Sequence, residues 1–139
     1  MTNILVIEDS TGEAALTKTS LETAHANCHV DVVSDGGAAI AFLAREGYYT
    51  GVRRPDLIVL ELGNAGHGGR EVLRTIRRDP ALSSTPVIVV GQSRDPKDIR
   101  ELYRLSANAY VIKPQDLRTY RSTIAAMVVF WLMTAALPE

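Results

Sequence analysis

The sequence predicts a doubly wound α/β domain, five parallel strands each followed by a helix. Three observations predict it. Short apolar runs recur at residues 4–7, 30–33, 57–60, 86–90 and 109–112. Between them lie helix-length stretches with start and stop signals of their own. The third run, Leu57-Ile58-Val59-Leu60, has no polar alternation, the mark of a strand covered on both faces. Strand-helix alternation throughout argues a parallel sheet between two helical layers. Right-handed crossovers then leave few topologies, and the flavodoxin-like order 2-1-3-4-5 suits 139 residues best.

Each element has a local reason. Ile4-Leu5-Val6-Ile7 delivers Glu8 and Asp9 to its carboxyl end. Ser10 with Glu13 is a capping box that opens a helix through Ala14, Leu16, Leu21 and Ala24. Val30, Val32 and Val33 mark the second strand, and Asp35-Gly36-Gly37 a turn. Residues 38–45 read as the second helix, with Ile40, Phe42 and Leu43 inward and Gly47 as its stop. Residues 48–55 read as a polar loop. Glu61 is the first charge after the third strand, ahead of the glycine-rich Gly63-Asn64-Ala65-Gly66-His67-Gly68-Gly69. Residues 70–78 form a third helix with the stripe Val72, Leu73 and Ile76, stopped by Asp79-Pro80. Residues 86–91 are the fourth strand. Asp95 caps a fourth helix with Pro96 at its first position, running to about Leu105. The fifth strand ends at Lys113-Pro114, and the last helix is expected to run from Asp116 to about Leu137.

Bulk properties narrow the function classes. The length fits one domain, residues 1–139. A formal net charge of −1 offers no field to attract nucleic acid or an anionic membrane, and no aromatic interleaving suggests base stacking. Cys28 is the only cysteine, so a disulfide framework is excluded and a reduced, cytoplasmic setting is expected. The start, Met1-Thr2-Asn3, has no basic region ahead of its apolar strand, so no signal peptide is expected. The uncharged stretch from Ser122 to Pro138 contains Ser, Thr and several Ala and is shorter than the ~20 apolar residues of a membrane span.

In a parallel sheet, the ends of strands one, three, four and five share one edge, where ligands of such folds sit. The chain places Glu8 and Asp9, Glu61, Gly91-Gln92-Ser93 and Lys113 there. Carboxylates in such company disfavour one another's ionisation, and a lysine or a divalent cation relieves them. Hard oxygen donors with room for water suit Mg²⁺.

These residues carry a resemblance. Glu8-Asp9, the strand ending at Glu61, Gly69 and Lys113-Pro114 make the chain resemble, over nearly its whole length, the receiver domain of bacterial two-component response regulators. Gly69-Arg70-Glu71-Val72-Leu73, Ala107-Asn108-Ala109-Tyr110 and the ending Phe130-Trp131-Leu132 through Leu137-Pro138 are similar to single-domain regulators of bacterial phytochrome-type histidine kinases. The resemblance implies a CheY-like (βα)₅ fold and phosphoryl transfer from a kinase histidine to an aspartate. It implies Mg²⁺ held by the acids, here Glu8, Asp9 and Glu61 with the Gly63 carbonyl, and a cis Lys113–Pro114 peptide. It implies a histidine kinase or phosphorelay protein as partner.

The chain departs from that pattern at the chemistry. Glu61 aligns with the phospho-accepting aspartate, Gly91 with the phosphate-binding Ser or Thr, and Ala65 with the proline of the third loop; Lys113 is retained. A glutamyl carboxyl stands one C–C bond farther out, enough to spoil an in-line geometry. Two readings of Glu61 follow, and both pair it with Lys113. In one, the longer acid imitates the phosphorylated state; in the other, the pair survives in an inert site. Gly91 argues against a permanently active switch, because the sensing hydroxyl is gone. The expectation is an atypical, non-enzymatic receiver that signals without aspartyl phosphorylation. The alternatives are a Mg²⁺-dependent phosphate-handling enzyme, for which Ser93 is the only candidate nucleophile, and a small-ligand-binding domain.

The last helix adds a partner. Ile124, Met127, Val128, Trp131 and Ala135 share a face suited to the sheet, yet Val129, Phe130, Leu132, Met133 and Leu137 are apolar elsewhere around it. A helix apolar on most sides needs a second cover. With Tyr110 on the same side, these residues predict a homodimer, as the related regulators form. His25, His29 and His67 lack zinc-ligand spacing, with His67 left as a residue near the pocket mouth. Arg70, Arg74, Arg77 and Arg78 read as a solvated basic face or, more sharply, a docking patch for an acidic partner.

Overall fold

The computed structural model describes residues 1–63 and 67–138. Expectations that fall on Asn64, Ala65, Gly66 and the His67 side chain lie outside the described residues. The element order is β1 (Thr2–Ile7), α1 (Thr11–Ala24), β2 (Cys28–Val33), α2 (Gly36–Ala44), β3 (Leu57–Glu61), α3 (His67–Arg78), β4 (Val87–Gly91), α4 (Pro96–Arg104), β5 (Ala109–Ile112) and α5 (Leu117–Val128). The strands form one parallel sheet in the order β2-β1-β3-β4-β5, as the alternation predicts.

Residue parity divides the core. Leu5, Ile58, Leu60, Val87 and Val89 point to the side of α2, α3 and α4, where they meet Phe42, Leu43, Leu73, Ile76 and Leu102. Ile4, Val6, Leu57, Val59, Ile88 and Val90 point to the side of α1 and α5, against Leu21, Tyr120, Ile124, Met127 and Val128. Successive side chains alternate faces, so a strand covered on both must be apolar at every position. Burying each such side chain is worth roughly 1.5–3 kcal/mol.

Boundaries move where side-chain caps act. The Asp35 carboxylate accepts from the Ala38 amide at 2.7 Å, so α2 begins at Gly36, ahead of the expected start. It ends at Arg45, left-handed at φ 55°, before Gly47 is reached. The expected polar loop contains a 3₁₀ turn, Gly47–Tyr49, whose Tyr49 ring packs 5.3 Å from that of Phe42.

The last helix also departs from expectation. Its α-helical part stops at Val128, and Val129–Thr134 continue as a π-helical turn. The Thr134 hydroxyl donates to the Val129 carbonyl at 3.0 Å, and Ala135 turns extended. The helix therefore falls short of Leu137 and changes pitch where its apolar residues are densest.

The basic face of α3 is largely spent within the domain. Arg70 pairs with Glu101 at 2.8 Å and Arg74 with Glu71 at 3.4 Å. Arg77 donates to the carbonyls of Ser83, Thr85 and Ser106 and to the Asn108 side chain, tying three loops together. The Lys113–Pro114 peptide is trans, the lower-energy isomer; no described peptide bond is cis.

Candidate functional site

Glu61 ends β3 on the parity that faces α1 and α5, the side of Leu57 and Val59. Its side chain is only 5% exposed. Thr17 of α1 donates its hydroxyl to Glu61 Oε1 at 2.9 Å, and the Tyr120 hydroxyl of α5 donates to the same oxygen. Thr17 Oγ1 and the Tyr120 oxygen also lie within hydrogen-bonding distance of each other, so the two hydroxyl protons are shared among three oxygens. Both are buried. These donors satisfy a buried acid oxygen that the core would otherwise leave without a partner.

The expected Glu61–Lys113 ion pair does not form. Lys113 Nζ instead meets Glu13 Oε1 of α1 at 2.8 Å and lies 5.5 Å above the Tyr120 ring. The reason is reach and direction: Glu61 is drawn under the sheet edge by two hydroxyls, while Glu13 offers Lys113 a half-exposed carboxylate. The capping box is accordingly half-formed. Ser10 Oγ accepts from the Glu13 amide at 3.4 Å, but the Glu13 carboxylate goes to Lys113 rather than back to Ser10.

Glu8, 3% exposed, accepts from the Ser10 amide at 2.9 Å. Burial, and next the neighbouring Glu61 carboxyl, push its carboxyl up to about 9. Glu8 is therefore protonated at neutral pH and can donate to Glu61 Oε2, which is buried without another partner. Burial first, then the Glu61 charge, push the Tyr120 phenol well above its usual range. Asp9 lies exposed at the rim, against Gly63; a β-carbon at Gly63 would stand 2.6 Å from Asp9 Oδ2. The cleft above these acids is about 190 Å³, lined also by Ser34, Asp35 and Gly36.

A divalent cation does not fit these residues as placed. Glu61 Oε1 is committed to the two hydroxyls, Glu8 accepts from the Ser10 amide, the exposed Asp35 is spent on the Ala38 amide, and Asp9 is left at the rim. Among the described residues no group of three or more His, Cys, Asp or Glu converges as a metal site.

At the end of β4, Gly91 leaves room that Tyr110 of β5 fills. The Tyr110 hydroxyl donates to the Ser93 carbonyl at 2.9 Å, and the Tyr110 amide donates to the Tyr103 hydroxyl at 3.1 Å. Tyr110 therefore turns towards the acid edge and is half-buried, not displayed on the outer surface with the last helix. The Ser93 hydroxyl donates to Asp98 at 2.7 Å and accepts from the Asp95 amide, a turn that enters α4.

A sequence profile of the response regulator receiver domain matches residues 4–125. The chain belongs to the response regulator receiver family. This receiver is 36% identical over 135 residues to the response regulator Rcp1 of Synechocystis sp., covering 97% of this chain and 92% of that protein. Among solved structures it is similar to the phosphorylated cyanobacterial phytochrome response regulator RcpA (TM-score 0.92, 36% identity, 99% of both chains). It is equally close in fold to a Mn²⁺-bound form of Rcp1 (TM-score 0.91, 34% identity, 100% of both chains).

Of the expected dimer residues in this receiver, Val129, Phe130 and Met133 stand 53%, 51% and 64% exposed. Leu132 packs with Trp131 against the core, and Leu137 is half-buried beyond the helix. No described helix is long and apolar enough to cross a membrane.

Two residues of the site escape the sequence reading, Thr17 and Tyr120. The signal was present. Thr17 stands in the stripe Ala14, Thr17, Leu21, and Tyr120 in the stripe Tyr120, Ile124, Met127. Hydroxyls on core-facing positions of two neighbouring helices need a buried partner.

Proposed function

We propose that this receiver is a phosphorylation-independent signalling module rather than an enzyme. It transmits through protein contacts, with a histidine kinase of the phytochrome type or a phosphorelay protein as its partner. On this reading Glu61 stands at the acceptor position, and the observation that carries the proposal is its orientation. The carboxylate is buried at the floor of the acid cleft with Oε1 held by Thr17 and Tyr120, so that oxygen is not free to meet a phosphoryl donor. Lys113 is engaged by Glu13, and Tyr110 fills the place where a hydroxyl side chain at 91 would stand. The similarity to phytochrome response regulators supports the choice of partner. The module works as a cytoplasmic homodimer through Val129, Phe130 and Met133.

Incubation with acetyl phosphate and Mg²⁺, followed by intact-protein mass measurement, tests the reading. The mass is expected to stay unchanged. Stable gain of one phosphoryl group, mapped to Glu61, would overturn it.

A further inference from the structure

We propose that Glu61 is a latch: its carboxylate ties the end of β3 to α1 and α5, and by turning inward it takes the acid edge out of divalent-cation binding. The inference deepens the reading of position 61 given above, and its test is separable from that one.

The argument begins with parity. Residue 61 continues the series Leu57, Val59, so its Cβ points towards α1 and α5 whatever the side chain. Side-chain length then decides where the carboxylate lies. With the extra methylene, the head reaches Thr17 Oγ1 at 2.9 Å and the Tyr120 hydroxyl. An aspartate from the same backbone falls short of both and keeps its oxygens at the edge, beside Asp9 and the Gly63 carbonyl.

The partners make the inward position the favoured one. Thr17 is 0% and Tyr120 3% exposed, so neither hydroxyl has water to fall back on. Losing the shared acceptor would leave the two hydroxyls only each other, with one buried donor unsatisfied. The same contact reaches the protein's apolar surface. Tyr120 anchors α5 by its first turn, Ile124, Met127 and Val128 follow on the buried side, and the helix then leads directly into Phe130 and Met133. The end of β3 is thereby joined to the element that carries the exposed residues, with no bound ion or phosphate required.

Two measurements on three proteins test the latch. Mn²⁺ binding is followed by electron paramagnetic resonance, and protection of α5 amides by hydrogen exchange, in wild type, Glu61→Gln and Glu61→Asp. Glutamine keeps the acceptor oxygen and its length, so Glu61→Gln is expected to match wild type: no saturable Mn²⁺ site at millimolar concentration and unchanged protection. Glu61→Asp is expected to gain a single Mn²⁺ site that saturates below millimolar concentration, and to lose protection in residues 117–128. Saturable one-to-one Mn²⁺ binding by wild type would overturn the inference. So would a Glu61→Asp variant that changes neither measurement. Acetyl-phosphate labelling of wild type reports on the functional reading alone and leaves these outcomes untouched.

Discussion

The Tyr110 hydroxyl and any side chain at position 91 compete for one space: a β-carbon on Gly91 would stand 2.6 Å from the Tyr110 oxygen. That oxygen is held by the Ser93 carbonyl at 2.9 Å, and burial raises the phenol's pKa, so it stays a donor. Glycine at 91 is thus the condition for the inward tyrosine, which in turn closes the β4 end of the acid edge.

Gly91→Ser should therefore expel the Tyr110 ring from its bond to Ser93. The over-packing is expected to cost about 1–3 kcal/mol, read as a lower urea midpoint at unchanged slope. In a double-mutant cycle with Tyr110→Ala, the penalty of Gly91→Ser should largely vanish, because the space is then empty. Strict additivity of the two substitutions would contradict the competition.

Glu8 predicts a pH dependence. Its carboxyl has an ordinary value of 4.5 and is pushed up to about 9 in the folded domain, first by burial and next by the neighbouring Glu61 carboxyl. Between those values the folded chain keeps a proton that the unfolded chain has lost. Stability from this group is therefore fully present below 4.5 and falls as pH rises towards 9. Glu8→Gln stays neutral and removes that slope. Relative to wild type, the variant should gain stability progressively from mildly acid to alkaline pH, by at most about 1.4 kcal/mol per pH unit. Denaturation curves across that range check it; a constant difference between the two proteins would remove Glu8 as the titrating group.

The sheet order was legible because parity and burial act locally. Apolar positions on both faces, as in β3 and β4, admit only a covered parallel strand. The set Glu8, Asp9, Glu61, Gly91 and Lys113 was legible for the same reason, since topology alone brings strand ends to one edge. The pairing within the set was not. Whether Lys113 meets Glu61 or Glu13 depends on side-chain direction, and that is decided by Thr17 and Tyr120, 44 and 59 residues away from Glu61 in sequence. The end of α5 was missed because an apolar run without Gly or Pro before Pro138 carries no stop signal. The π-helical turn there arises from packing Trp131 and Leu132 back on the core, which leaves Val129, Phe130 and Met133 outside.

Those outside residues lead to the prediction on assembly. Three large apolar side chains, each more than half exposed, crowd one turn at the end of α5. Phe130 stacks edge-on against Trp131 at 5.1 Å, so its ring is held in place while one side stays in water. Covering each such side chain in a two-fold contact would contribute roughly 1–2 kcal/mol, counted twice by symmetry. Wild type should elute and scatter light as a dimer at micromolar concentration. Phe130→Asp with Met133→Asp should yield monomer with little loss of thermal stability of the fold, because neither side chain is part of the buried core. Ala44, exposed on α2 across the sheet from α5, supplies the control: Ala44→Asp should leave the dimer mass intact. A monomeric wild type, or a dimer indifferent to both aspartates, would assign this surface to a different partner.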